Sequence, residues 1–156
     1  MRRGDPKGGA GVAAAVASGA VESAEALAVV ARQHRAVLAT TRSDGRPQLS
    51  PVSAAVLDGQ VVVSSRETAM KVKNLRKRPY ASLCVFGDDF FGQPWVQIEG
   101  AVEVVSLPEA MEGLVGYYRA VAGEHPDWEE YRAAMERERR VLVRIRVDRA
   151  GPDRAG

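Results

Sequence analysis

The chain has 156 residues, 46% of them hydrophobic and 27% charged, with 22 basic side chains against 20 acidic ones and a formal charge of +2. That length suits one domain with a full core, and the composition excludes disorder of the whole chain. The near balance of charge speaks against a general nucleic-acid or membrane-surface protein, so neither partner is expected. Cys84 has no partner in the chain, and one cysteine with His34 and His125 cannot close a structural zinc site. No stretch approaches the ~20 apolar residues of a membrane helix, and the expectation is a cytoplasmic protein.

Residues 1–20 are rich in Gly and Ala, with Arg2-Arg3 at the start and a weak apolar run from Val12 to Ala17. Asp5, Pro6 and the glycines interrupt what would otherwise look like a signal peptide, and the reading is a disordered tail. A single domain is expected over 21–149, and a short second tail over 150–156. Leu27, Val30, Ala31 and His34 recur at helical spacing and predict a helix from Ser23 to Arg35. Ala36–Thr41 and Gln48–Leu57 read as a hairpin around Ser43-Asp44-Gly45, and Val61–Ser64 follows the turn at Asp58-Gly59. Thr68–Lys77 reads as a helix ended by Pro79, Tyr80–Phe86 as a fourth strand, and Gly87–Pro94 as irregular chain.

In the fifth strand Val96, Ile98, Val102 and Val104 face one way, and Gln97, Glu99 and Glu103 the other. Ser106 and Glu109 are spaced as a capping box for a helix whose buried stripe is Leu107, Met111, Leu114, Val115 and Tyr118. A last helix begins near Asp127, and Val141, Val143, Ile145 and Val147 alternate in a sixth strand. Six strands joined mostly by hairpins, with helices at the periphery, predict a small antiparallel barrel of the mainly β, α+β class.

The common catalytic motifs are missing: there is no GxSxG, HExxH, P-loop or GxGxxG. His34 at a helix end and His125 before a proline read as cap or surface residues. Cys84, between Leu83 and Val85, reads as a small core residue. Asp88-Asp89 and Glu129-Glu130 read as solvated charges. An enzyme of this sequence borrows its chemistry from a cofactor.

One segment stands out. The strand Val61–Ser65 runs into Arg66, and the next helix carries Lys71, Lys73, Asn74, Arg76, Lys77 and Arg78. At 100° per residue Lys71, Asn74 and Arg78 share one edge of the apolar face formed by Val72 and Leu75. Hydroxyls and free amides at a helix start, with Arg and Lys nearby, are what a phosphate needs; the alternative is a solvated basic face. Pro51 marks a bulge, an edge or a ligand-facing position, with small neighbours at Ser50 and Ser53.

From about His34 to Val147 the sequence resembles the FMN-binding split-barrel superfamily related to pyridoxamine 5'-phosphate oxidase, and within it the branch dependent on the deazaflavin coenzyme F-420. The resemblance rests on Ala36 to Pro47, Pro51-Val52, Lys71 to Arg76 with Pro79, Trp95 to Gly100, and His125-Pro126-Asp127-Trp128. It implies a six-stranded antiparallel split β-barrel with peripheral helices. It also implies that Ser64, Ser65, Arg66, Lys71 and Lys73 hold the cofactor phosphate, while Ser50, Pro51 and Val52 lie along the ring. Trp95 and Gln97 would reach the cofactor of a second subunit in a homodimer. The Gly87–Gly92 stretch departs from the pattern, and no substrate segment of the vitamin B6 oxidase type is present at the C-terminus. The implied activity is hydride transfer from reduced coenzyme F-420 to a small conjugated substrate. The alternatives are an FMN oxidoreductase and a flavin carrier without turnover.

Overall fold

In the computed structural model the described residues are 22–89 and 91–151, with 154–155 described as backbone. The expected N-terminal tail therefore lies outside the described residues. Helix α1 spans Ser23–Arg32, followed by β1 (Arg35–Thr41), β2 (Pro47–Ser53), β3 (Ala55–Leu57), β4 (Gln60–Arg66) and α2 (Met70–Lys77). Then come β5 (Tyr80–Phe86), β6 (Pro94–Val105), α3 (Met111–Ala122), α4 (Trp128–Arg137), β7 (Arg140–Ile145), β8 (Arg149–Ala150) and β9 (Arg154–Ala155). The strands form one curled antiparallel sheet in the order β2-β1-β5-β6-β7-β4-β3, with β8 and β9 paired to β6. This is the α+β split barrel expected from the sequence. No helix among the described residues is long and apolar enough to cross a membrane.

The sheet curls because β6 serves two partners. Its first half pairs with β5, from Val96 opposite Val85 to Ala101 opposite Tyr80. Its second half pairs with β7, from Val102 opposite Ile145 to Val105 opposite Leu142. Gly100 sits at the change-over, where a Cβ would stand 1.7 Å from the Arg146 carbonyl oxygen. The Arg146 and Asp148 amides bond to Ala101 O (2.9 Å) and Glu99 O (3.1 Å), so the chain leaving β7 crosses β6 at backbone contact.

Two cores result. Inside the curl Leu38, Val61, Val63, Leu83, Ile98 and Val143 pack with Val72 and Leu75 of α2 and Val29 and Val30 of α1. Outside it Val62 and Leu142 pack against Leu114 and Val115 of α3 and Tyr131 and Met135 of α4. Strand β4 is thus covered on both faces, which accounts for its unbroken valine run.

Several boundaries move. Helix α1 ends at Arg32 because Gln33 is extended, and His34 leaves the helix to place Nδ1 2.7 Å from Ala54 O. The long second strand breaks at Ala54, whose amide turns to His34 O at 2.7 Å, giving β2 and β3. Ser106 and Glu109 do not form a capping box. Helix α3 starts at Met111 with no side-chain cap, and Ser106 Oγ instead accepts from Arg76 at 2.7 Å. The α4 start is as expected, with Asp127 accepting from the Glu130 amide at 3.0 Å. Cys84 is not in the core: Ala81, Leu83 and Val85 point inward, so Cys84 lies half-buried on the outer face. The stretch expected to be a tail from residue 150 instead carries short strands paired to β6.

Gly100→Ala sets a methyl group against a backbone carbonyl that cannot rotate away. The expected loss is about 2–3 kcal/mol in urea unfolding, the scale of overpacking in a closed core. An unchanged midpoint would contradict this account of the curl.

Candidate functional site

Strand β3 is short, and its last ladder pair joins Ala55 to Val62. From Val63 to Arg66, β4 is paired only on its β7 side. The opposite side looks toward the end of β2. A cleft of about 320 Å³ lies there, lined by Pro51 and Val52 from β2, Ser64, Ser65 and Arg66 from β4, Ala69 and Lys71 at the start of α2, and Arg140. Pro51 causes no bulge, since β1 and β2 pair without a break from Arg35–Ser53 to Thr41–Pro47. It occupies the edge strand, where a missing N–H is tolerated. Beside the Pro51-Val52 wall the Tyr117 hydroxyl of α3 donates to Ser53 O, at the end of β2, at 2.9 Å, and burial raises its pKa.

The cleft is cationic. The β4–β7 register sets Arg66 directly opposite Arg140. Like charges in that relation repel. One carboxylate, Glu138, serves both: it accepts from Arg140 Nε at 2.6 Å and lies 4.0 Å from Arg66 Nε, and the Arg140 bond lowers its pKa. Lys71 has no carboxylate partner among the described residues, and its pKa is lowered, first by burial and then by the Arg140 charge. No side chain caps α2 at Ala69, which leaves the first helix amides beside the same space. Three cations, two serines and an uncapped helix start suit a phosphate or another multiply charged anion.

Arg76 of α2 and Arg78 just after it are committed elsewhere. Arg76 holds Glu67 with two bonds, at 2.8 and 2.7 Å. Buried Asn74 donates to Thr40 Oγ1 (3.1 Å), Thr40 donates to Gln48 Oε1 (3.1 Å), and Arg78 donates to Thr41 O (2.7 Å). These bonds fasten α2 to β1 and β2 and so fix where Lys71 stands.

Comparison with known proteins bears on the family and the fold. The model of the pyridoxamine 5'-phosphate oxidase family matches residues 23–151. The chain belongs to that family. Its members are flavin-binding split barrels and typically oxidoreductases. A conserved hypothetical protein of Mycobacterium tuberculosis is 30% identical, with 83% of this chain and 82% of that one covered and a TM-score of 0.69. An F420 reductase shares the fold at 19% identity, covering 81% of this chain and 95% of that one with a TM-score of 0.62. A heme binding protein of Mycobacterium smegmatis also shares it, at 22% identity over 83% of this chain and 53% of that one, with a TM-score of 0.61.

In this family member six of the ten residues expected at the site come together in the cleft: Pro51, Val52, Ser64, Ser65, Arg66 and Lys71. Ser50 does not line it. Ser50 pairs with Leu38 and turns inward, with its Oγ buried and without a hydrogen-bond partner among the described residues. Lys73 is exposed and lies outside the cleft lining. Trp95 and Gln97 are on β6. Gln97 ends an outer-face row that runs Pro51, Val37, Cys84, Gln97 across four strands, about 14 Å from Pro51 at ~4.8 Å per strand. One chain therefore does not bring Trp95 and Gln97 to the cleft. Sequence reading missed Ala69, Tyr117 and Arg140. Arg140 had no local signal, since only the ladder sets it opposite Arg66.

Lys71 carries a testable cost. Between its lowered pKa and the usual lysine value the unfolded chain holds a proton that the folded chain lacks. Stability therefore rises with pH across that window, and below it the cost is present in full. Lys71→Met is expected to raise the Tm at pH 7 by a few degrees without anions, and to lose the further rise that inorganic phosphate gives the wild type. A lower Tm, or an undiminished phosphate effect, would argue against the cleft as an anion site.

Proposed function

We propose that the protein is an oxidoreductase that uses reduced coenzyme F-420 and works on a small conjugated organic substrate. The observation that carries the reading is the junction of Arg66, Lys71 and Arg140 with Ser64 and Ser65 beside the flat, small-residue wall of Pro51 and Val52. The cations and hydroxyls hold the anionic part of the cofactor, and Pro51 and Val52 flank its ring. When bound, the reduced deazaflavin supplies a hydride. The cleft lining contains no carboxyl, imidazole or thiol. Its residues contribute binding, orientation and exclusion of water. The F420 reductase that shares the fold supports the deazaflavin, whereas the family model itself supports FMN as the second reading.

A second copy of the chain completes the site in this reading. The outer face of β2, β1 and β5 presents Leu49, which is 61% exposed, with Val37, Ala39 and Cys84 beside it. A two-fold partner that covers this face carries its own Trp95 and Gln97 toward the cleft, using the same patch twice. Trp95 is the aromatic anchor of that seam.

Titration with coenzyme F-420 and FMN, followed by fluorescence, separates the two cofactors. Lys71→Ala and Arg66→Ala are each expected to cost ~1.5–3 kcal/mol of affinity, the scale of a charge-assisted hydrogen bond. Lys73→Ala is expected to leave affinity within a factor of about two, the range of an exposed charge. Tight binding by both cleft variants would remove the assignment. Light scattering on wild type and Trp95→Ala tests the pair of chains, and a wild-type monomer that binds cofactor tightly would end that part of the proposal.

A further inference from the structure

Lys71 is the unusual side chain of the cleft. It stands in the cleft wall at the start of α2, half-buried, and makes no hydrogen bond and no ion pair among the described residues. An ammonium group has three hydrogens to donate, so burial without a partner disfavours its charge. The charge that acts on it is that of another cation, Arg140. Glu138, which Arg140 holds at 2.6 Å and which also serves Arg66, does not reach Lys71. Burial first, and the Arg140 charge second, lower the Lys71 pKa.

An anion alone does not account for a lysine here. A guanidinium keeps its charge in such surroundings, whereas an amine gives it up, so a third arginine would serve a purely anionic ligand better. A lysine that is partly desolvated beside a second cation is instead the arrangement that yields a free amine, and a free amine attacks carbonyl carbon. Lys73 and Lys77 of the same helix are exposed and lie outside the cleft lining, so position sets Lys71 apart from them. The groups that suit a phosphate share the cleft with the amine: Arg66, Ser64 and Ser65 from β4, and Arg140 from β7. Pro51 and Val52 add a flat wall, and a space of about 320 Å³ has room for a small ring that carries both a phosphate and a carbonyl group.

We propose that the cleft takes a small flat aldehyde bearing a phosphate, and that Lys71 Nζ binds it covalently as an imine. The phosphate rests on Arg66, Arg140 and the two serines, and the carbonyl carbon meets Nζ. The amine lone pair attacks that carbon, the N–C bond forms, and the carbonyl oxygen leaves as water with the two amine hydrogens. Nothing is oxidised or reduced, and water reverses the step. The inference uses the cleft as an anion site and does not depend on which cofactor occupies it; cofactor and aldehyde compete for the same groups.

The probe is 4-formylphenyl phosphate, with benzaldehyde as its phosphate-free control. Each is trapped on the full chain with cyanoborohydride near pH 7, and the adducts are mapped by peptide mass spectrometry. The adduct is expected on Lys71 several-fold above Lys7, Lys73 or Lys77, although Lys73 and Lys77 are more exposed. Benzaldehyde is expected to label Lys71 at least ~10-fold less at equal concentration, for want of the phosphate contacts. Inorganic phosphate is expected to protect Lys71 alone. Lys71→Arg keeps the charge and removes the nucleophile, so it is expected to retain a rise in Tm with phosphate and to form no adduct in the cleft. Even labelling of the lysines overturns the proposal. So does Lys71 labelling that is as strong with benzaldehyde, or that phosphate does not reduce. Any of these with an intact phosphate effect on the wild-type Tm overturns the imine and leaves the anion site, whereas a wild type whose Tm phosphate does not raise overturns both.

Discussion

The crossing at Gly100 is the constraint on which the rest depends. A twelve-residue strand pairs with β5 along its first half and with β7 along its second. The two halves can meet only because the Arg146 carbonyl passes where a side chain would otherwise stand. That contact turns a row of hairpins into a curl. It carries β4, next to the short end strand β3, round to the neighbourhood of β2 at the other end of the sheet. The cleft is the gap left between those ends, and its position follows from the crossing rather than from any motif at the cleft itself.

The cleft is assembled against local stability. Arg66 and Arg140 are forced opposite one another with one carboxylate between them, and Lys71 is partly desolvated beside Arg140. Such an arrangement holds only if the elements carrying the charges are fastened elsewhere. Arg76 to Glu67 and the chain Asn74–Thr40–Gln48 do this for α2. Tyr117 fastens the end of β2 to α3 through Ser53 O. Charges left unneutralised on a well-anchored scaffold suit a ligand that brings its own negative charge.

Helices α3 and α4 support this from behind. Tyr118, His125, Trp128 and Tyr131 form a cluster of rings with centroids 5.0 to 5.8 Å apart. Buried Tyr131 donates to Leu114 O at 2.8 Å, and burial pushes its pKa up to about 12. His125 Nδ1 accepts from the Asp127 amide at 2.9 Å. The histidine loop thus closes the outer core against β4 and β7, which is a packing role consistent with the cap or surface role read from the sequence.

The sequence by itself determined most of the fold and about half of the candidate site. Alternation in Tyr80–Phe86 and from Val96 to Val104 is a local property, so those strands were legible residue by residue. The serines, Arg66 and Lys71 were legible because a strand running into a basic helix is contiguous in the chain. Tertiary structure decided what depends on partners distant in sequence. Only the hydrogen bond between Ala54 and His34 divides β2 from β3, and only the short β3 leaves the edge of β4 open. Ser50 and Cys84 went the opposite way from expectation because strand phase, set by pairing with β1, chooses the face of every residue at once. Arg140 entered the cleft through ladder register, and Gln33 found the Pro94 carbonyl across sixty-one residues of chain, where no spacing rule reaches. Composition and periodicity describe neighbours along the chain, whereas a binding site is made of neighbours in space.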